Sequence, residues 1–157
     1  MGAEGGDLRL PLLDQLLDDE PGVVDEPAPT AGQTHRRVVE AIERDLLDLL
    51  NTRERCLSWP KELEEVGRSV VAYGVPDITG ANLSTIRDRD AFLQALAPII
   101  RRSDRRFRSV RIVPDDRGDS TDRILRFRIE AVVRVDGGSE SVAFDFKLEP
   151  VTRQFES

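Results

Sequence analysis

The chain has 157 residues, a single cysteine and a formal net charge of −7, and 34% of its residues are charged. One cysteine excludes an intramolecular disulfide, which favours a reducing compartment. No apolar run approaches the roughly 18 residues that a membrane-spanning helix needs, and the N-terminus lacks the basic region of a secretory signal. The length suits one domain with a tail.

The acidity of the chain is concentrated at its N-terminal end. Residues 1–32 hold eight acidic residues and one basic residue, which leaves 22 of each in residues 33–157. We therefore predict two regions, a flexible acidic tail over residues 1–32 and a neutral folded domain over residues 33–157.

The tail contains a short leucine-rich segment over residues 8–19. Four leucines recur there at helical spacing: Leu12, Leu13, Leu16 and Leu17. Residues 20–32 are rich in proline, glycine, alanine and acid, which is typical of a flexible linker. A leucine patch on such a linker predicts a peptide that docks on a partner. The alternative is that it packs on its own domain.

The first helix of the domain is predicted over residues 34–50. Its apolar stripe is formed by Val38, Val39, Ile42, Leu46, Leu49 and Leu50. Such a stripe at helical period indicates a helix that packs on a core. Asn51 is expected near its end.

A short helix over residues 60–71 and a turn over residues 73–77 are predicted to follow, with Gly74 at a positive φ. Residues 88–101 form a second predicted main helix, with Asp88 as its N-cap. Its apolar face is Phe92, Leu96, Ile99 and Ile100. Pro98 is expected to kink this helix or end it early.

The last third predicts a three-stranded antiparallel meander over residues 107–113, 123–135 and 139–148. Apolar and polar residues alternate along the second and third strands, which indicates one buried and one exposed face. With Asp136-Gly137 as a two-residue hairpin loop, Arg128 lies opposite Asp145. A Gly137-Gly138 loop would instead place like charges opposite each other, so the first register is favoured. The fold class is therefore α+β, with two main helices packed on a three-stranded sheet.

The chain offers little for catalysis or cofactor binding. His35 and Cys56 are its only histidine and cysteine, so no metal-binding cluster of these residues is expected. No phosphate-binding glycine loop appears, and no two carboxylates stand out as a glycosidase pair. We expect no cofactor, no small-molecule substrate and no enzymatic activity.

An arginine-rich stretch precedes and enters the first strand. Residues 101–117 contain seven arginines and three aspartates. Nucleic acid is disfavoured as the partner because the body is neutral overall and the tail is acidic. Guanidinium groups suit bidentate ion pairs, so carboxylates on a protein partner fit better.

Four stretches together carry a family resemblance. They are the leucine segment 10–19, Leu49-Leu50-Asn51-Thr52-Arg53, the segment 69–77 with its Tyr73-Gly74-Val75-Pro76-Asp77, and residues 100–112. The chain resembles the TssE family of type VI secretion baseplate subunits, which includes the phage baseplate wedge protein once described as lysozyme-like. One motif departs, because the family's Glu-Pro-Arg is Asp104-Arg105-Arg106 here, with a shorter acid and no proline.

The resemblance implies a structural role in a contractile injection machine. It implies a cytoplasmic protein at the inner-membrane-associated baseplate, without membrane insertion. The implied partners are the wedge proteins TssF, TssG and TssK and the sheath proteins TssB and TssC. The expected partner-binding residues are Leu12, Leu13, Leu16, Leu17, Arg53, Asp104, Arg106 and Arg108. The alternatives are a peptidoglycan hydrolase, as the lysozyme-like label suggests, and an adaptor domain unrelated to secretion.

Overall fold

Helices and a single antiparallel sheet make up the computed structural model of the chain. It describes residues 12–16, 30–54, 59–60, 62–76, 85–115, 124–135, 138–149, 152 and 154–157. The helices are α1 (Leu12–Leu16), α2 (Ala31–Asn51) and α3 (Ile86–Ser103), with 3₁₀ turns at Glu64–Arg68 and Val70–Ala72 between α2 and α3. The strands are β1 (Phe107–Pro114), β2 (Leu125–Val135), β3 (Gly138–Leu148) and β4 (Phe155–Glu156).

The sheet has the order β1-β2-β3-β4, with neighbouring strands antiparallel. The predicted count of three strands is therefore wrong by one, because the alternation of polar and apolar residues is not detectable in a two-residue strand. The predicted register of the long hairpin is confirmed. Arg128 lies opposite Asp145 and donates two hydrogen bonds to it, of 2.7 and 2.9 Å. The predicted loop Asp136-Gly137 lies outside the described residues.

Helix α2 begins earlier than its apolar stripe predicts. Thr30 caps it, because the Thr30 hydroxyl accepts a bond from the Gln33 amide and the Gln33 side chain accepts one from the Thr30 amide. Ala31 and Gly32, which the composition assigns to the tail, thus belong to the helix. Near this end His35 contacts Glu140 of β3 at 2.5 Å. The helix ends at Asn51, as predicted.

Helix α3 differs from its prediction at both ends. Thr85 is the N-cap, and Asp88 is the third helical residue, whose amide donates to the Thr85 hydroxyl. Capping thus starts the helix before its apolar stripe begins. Pro98 does not stop the helix, which continues to Ser103. The short predicted helix over residues 60–71 is instead the pair of 3₁₀ turns.

The core lies between the two main helices and one face of the sheet. It contains Ile42, Leu46 and Leu50 of α2, Leu93, Leu96 and Ile100 of α3, and Phe127, Ile129, Phe144 and Phe146 of the sheet. Phe155 of β4 completes it, stacked on Phe92 with ring centroids 6.5 Å apart. Residues at the C-terminal ends of α2 and α3 line one cleft, so these two ends lie close together.

No described helix has the length and apolar character needed to cross a membrane.

Candidate partner-binding site

Three separate sequence segments meet at the C-terminal ends of α2 and α3. The segment that ends α2 runs beside the Tyr73-Gly74-Val75 turn, and Arg53 and Val75 form a parallel β-bridge. The Val75 amide donates to the Thr52 carbonyl at 2.8 Å, and the Glu54 amide donates to the Val75 carbonyl at 2.9 Å. These bonds hold the two segments together beside the start of β1.

Gly74 makes this close approach possible. Its φ is +112°, a conformation that L-residues with side chains rarely adopt. A Cβ at this position would lie 2.7 Å from the Thr52 carbonyl oxygen. The predicted positive φ is confirmed, and the contact gives a second reason for glycine that the sequence does not reveal.

The Asp104-Arg105-Arg106 segment joins the same region. Asp104 is the C-cap residue of α3, and its carboxylate accepts bonds from the backbone amide and the Nε of Arg106, at 2.8 and 2.7 Å. The Nη2 of Arg106 also donates to Asp45 Oδ2 of α2 at 2.5 Å. Burial by itself lowers the pKa of Arg106, but the bonds and charges of Asp104 and Asp45 outweigh it and raise that pKa. We call this set of Asp45, Asp104 and Arg106 the aspartate–arginine clasp.

A cleft of about 210 Å³ opens beside the clasp. Its lining is Asp45, Leu46, Asp48, Leu49, Tyr73, Ser103, Asp104, Arg106 and Phe107. Tyr73 is 39% exposed at its edge. Burial is the main cause that raises the pKa of Tyr73, followed by the negative charges of Asp48, Asp45 and Asp104.

The chemistry of this cleft does not resemble that of a glycosidase. A glycosidase holds two carboxylates on either side of the sugar, and one of them must donate a proton. Here the Arg106 guanidinium lies between Asp45 and Asp104 and binds both. The arrangement is a structural junction of α2, α3 and β1.

The other two predicted arginines have different surroundings. Arg53 follows α2, and its Nη1 donates to the Leu50 carbonyl at 3.2 Å. Arg108 is exposed on β1, at the register shift between Phe107 and Ser109. The region thus presents exposed arginine near the clasp, while Arg106 itself is engaged within the fold.

The predicted leucine segment is represented by α1, which contacts α2 through an ion pair. Arg44 Nη2 donates to Asp14 Oδ1 at 2.7 Å. Leu12 and Leu16 are 78% and 81% exposed. Leu17 and the side chain of Leu13 lie outside the described residues.

A comparison with family models decides the class of this chain. The model described as baseplate wedge protein gp25 matches residues 36–137, which is more than half of the sequence. The chain belongs to this family of baseplate wedge proteins. The match spans α2 to β2 and so includes all three segments that meet at the clasp. No curated protein and no solved structure gives a significant match.

Membership in the wedge family makes this chain a structural baseplate protein and confirms the resemblance noted from the motifs. The structure brings Asp104 and Arg106 together at the clasp. Arg53 instead bonds to the end of α2, and Leu12 and Leu16 are exposed on α1. Sequence reasoning missed Asp45, Asp48 and Tyr73. Nothing in the sequence distinguishes these acids from the other acids on the polar face of α2.

Proposed function

We propose that this wedge protein joins the baseplate wedge to the first sheath ring of a type VI secretion machine. In this proposal it binds TssF, TssG and TssK through its helical side and its tail. It receives the TssB/TssC sheath at its sheet, and it acts in the cytoplasm at the inner-membrane-associated baseplate. The family match and the motifs support the proposal. The observation that carries it is an unpaired sheet edge on β3.

The outer edge of β3 is open over most of its length. β4 pairs only with Lys147 and Leu148, so no described strand pairs with residues 138–144 on that side. The Glu149 amide bonds to Gln154 on the β4 side. Successive strand residues direct their backbone groups to alternate sides, so the amides of Ser141 and Ala143 also face outward.

The side chains at these outward positions leave room for another strand. Ser139, Ser141 and Ala143 are small and exposed. An exposed row of backbone donors and acceptors with small side chains is the usual template for strand addition. An extended segment of a sheath protein could therefore pair with β3.

The opposite edge, on β1, is less suited to pairing. The Asp115 amide donates to the Arg126 carbonyl of β2, so the backbone groups of Asp115 face β2. Because backbone groups alternate in direction along a strand, those of Val110, Ile112 and Pro114 face outward. Pro114 has no amide to donate, and the register shift interrupts the other end of the strand. The β3 edge is thus the better receiver of a sheath segment.

A proline substitution tests this assignment. Ala143→Pro removes an amide that faces outward, and proline is tolerated at such edge positions. We expect the variant to keep its circular dichroism spectrum and its binding to a TssF–TssG complex. It should fail to nucleate TssB/TssC polymers, as seen by sedimentation and electron microscopy. Ala143→Ser is the matched control because it keeps the amide.

Two results would overturn the proposal. The sheath role is wrong if Ala143→Pro nucleates the sheath as well as the control does. The wedge role is wrong if the full-length chain does not co-purify with TssF and TssG. Deletion of residues 1–20 should weaken that complex while the domain remains folded.

A further inference from the structure

The contact between α1 and α2 orients the leucines of the tail. A helix of five residues is too short to be stable in water by itself. In α1 the Asp14 side chain is only 12% exposed and accepts the bond from Arg44. The hydrogen bond to Asp14 is the largest cause that raises the pKa of Arg44. The Asp14–Arg44 ion pair therefore links this part of the tail to the domain.

The position of Asp14 in α1 decides where the leucines point. Residues four apart share a helix face, and the residue midway between them lies on the opposite side. With Asp14 against α2, Leu12 and Leu16 are directed away from the domain, in agreement with their high exposure. The ion pair thus presents two leucines as a ridge.

The same ion pair lies at the end of a row of alternating charges. Arg44 Nη2 is 3.7 Å from Asp45 Oδ1, and Asp45 in turn binds Arg106 of the clasp. The row continues from Arg106 to Asp104 at 2.6 Å. The tail therefore contacts the domain next to the junction of its three motif segments.

We propose that the Asp14–Arg44 pair is a latch that holds α1 as a preformed docking ridge. This ridge binds a groove on a partner protein, and that groove has an apolar floor and a basic rim. The apolar floor follows from Leu12 and Leu16. The basic rim follows from charge, because the leucines stand in a segment with Asp7, Asp14, Asp18, Asp19 and Glu20, where Arg9 is the only base. A second copy of the chain is the competing occupant.

The latch can be tested in the isolated full-length chain. We expect heteronuclear ¹H–¹⁵N NOE values for residues 12–16 to approach those of the domain and to fall in Arg44→Gln. The matched control is Arg36→Gln, which removes another α2 arginine and its pair with Glu40. Equal NOE values in wild type and Arg44→Gln would overturn the latch.

The groove is tested by binding to a purified TssF–TssG complex, and this part rests on the proposed function. A preformed ridge binds more tightly because less order is imposed on binding. Loss of this single ion pair should weaken binding about threefold in Arg44→Gln. Loss of the two leucine side chains that binding would bury should weaken it about tenfold or more in Leu12→Ala/Leu16→Ala. Affinity should fall as salt rises.

Three outcomes separate the parts of the proposal. Wild-type affinity of the double leucine variant would overturn the ridge, and salt-independent affinity would overturn the basic rim. If the wild-type chain sediments as a dimer and the leucine substitutions dissociate it, the ridge binds a second copy of the chain instead. No binding by the wild-type chain would overturn the proposed role in binding TssF and TssG, while the NOE values would still decide the latch.

Discussion

Asn51 and Phe155 lie 104 residues apart and are joined by two hydrogen bonds. The Asn51 amide group donates to the Phe155 carbonyl at 3.0 Å, and the Phe155 amide donates to the Asn51 side-chain oxygen at 2.9 Å. The end of α2 thus binds the backbone of β4 as a neighbouring strand would. This explains an asparagine at the end of α2, and it holds the Phe155 ring against Phe127 at 6.1 Å.

Asn51→Ala should lower the free energy of unfolding by about 1–2 kcal/mol, because both bonds to β4 are lost. Urea denaturation followed by Trp59 fluorescence measures this. Gln94→Ala on the exposed side of α3 is the control and should change stability by less than about 0.5 kcal/mol. If the two variants are equally stable, the bonds to Phe155 contribute nothing.

Gly74→Ala should destabilise the domain by about 2 kcal/mol or more. The new Cβ adds strain at a positive φ and a clash with the Thr52 carbonyl. Gly32→Ala is the matched control, because a Cβ there meets no atom within 4 Å. In a helix this control should be stabilising by about 0.5–1 kcal/mol. Thermal unfolding that moves in the same direction for both would contradict the explanation.

Tyr73 should titrate above its usual pKa in the folded chain. It is the only tyrosine, so the absorbance change of phenolate formation reports this residue alone. The folded chain keeps the phenol neutral to a higher pH than the unfolded chain does. Its contribution to stability is therefore present below the unfolded pKa and is lost as pH rises through the folded pKa.

Asp48→Asn should bring the pKa of Tyr73 closer to the ordinary value. Among the three negative charges that raise this pKa, the charge of Asp48 has the largest effect. Burial remains in that variant, so part of the upward shift should persist. A titration midpoint in the wild-type chain equal to that in denaturant would show that the cleft has no effect on Tyr73.

Arg106→Gln should cost about 1–2 kcal/mol of stability. The substitution removes charge-assisted bonds and leaves Asp45 and Asp104 close together without a cation between them. The exposed neighbour gives a matched control, Arg105→Gln, which should be near neutral. A loss of stability in both or in neither would show that the clasp does not stabilise the junction. When Arg106 variants are tested for assembly, they must therefore be compared with the wild-type chain under conditions in which the same fraction of each protein is folded.

Pro98→Ala should stabilise the chain by about 1–3 kcal/mol. Pro98 is exposed within α3 and lacks the amide that a helix interior uses. Alanine restores that amide without changing the buried face. Chemical denaturation should show a higher midpoint with an unchanged slope. A lower midpoint would mean that Pro98 stabilises the protein by restricting the conformations of the unfolded chain, and that this gain exceeds the loss from the missing helix amide.

The sequence by itself determined the features that follow from short-range periodicity and local chemistry. Alternation along β2 and β3 set their buried face, and the opposite charges of Arg128 and Asp145 selected the register. The apolar stripe predicted α2, and the turn predicted the positive φ of Gly74. These properties depend on neighbours in the chain or on one hairpin, so a short window contains the needed information.

The tertiary structure decided which distant groups meet. Arg44 pairs with Asp14 of α1, and Arg106 pairs with Asp45 of α2, although nothing in the sequence distinguishes these two acids from their acidic neighbours. A two-residue strand forms because Phe155 reaches the core and Asn51 binds its backbone. Such choices depend on how α2, α3 and the sheet pack, because the energy of a long-range contact is gained only when the fold brings its partners together.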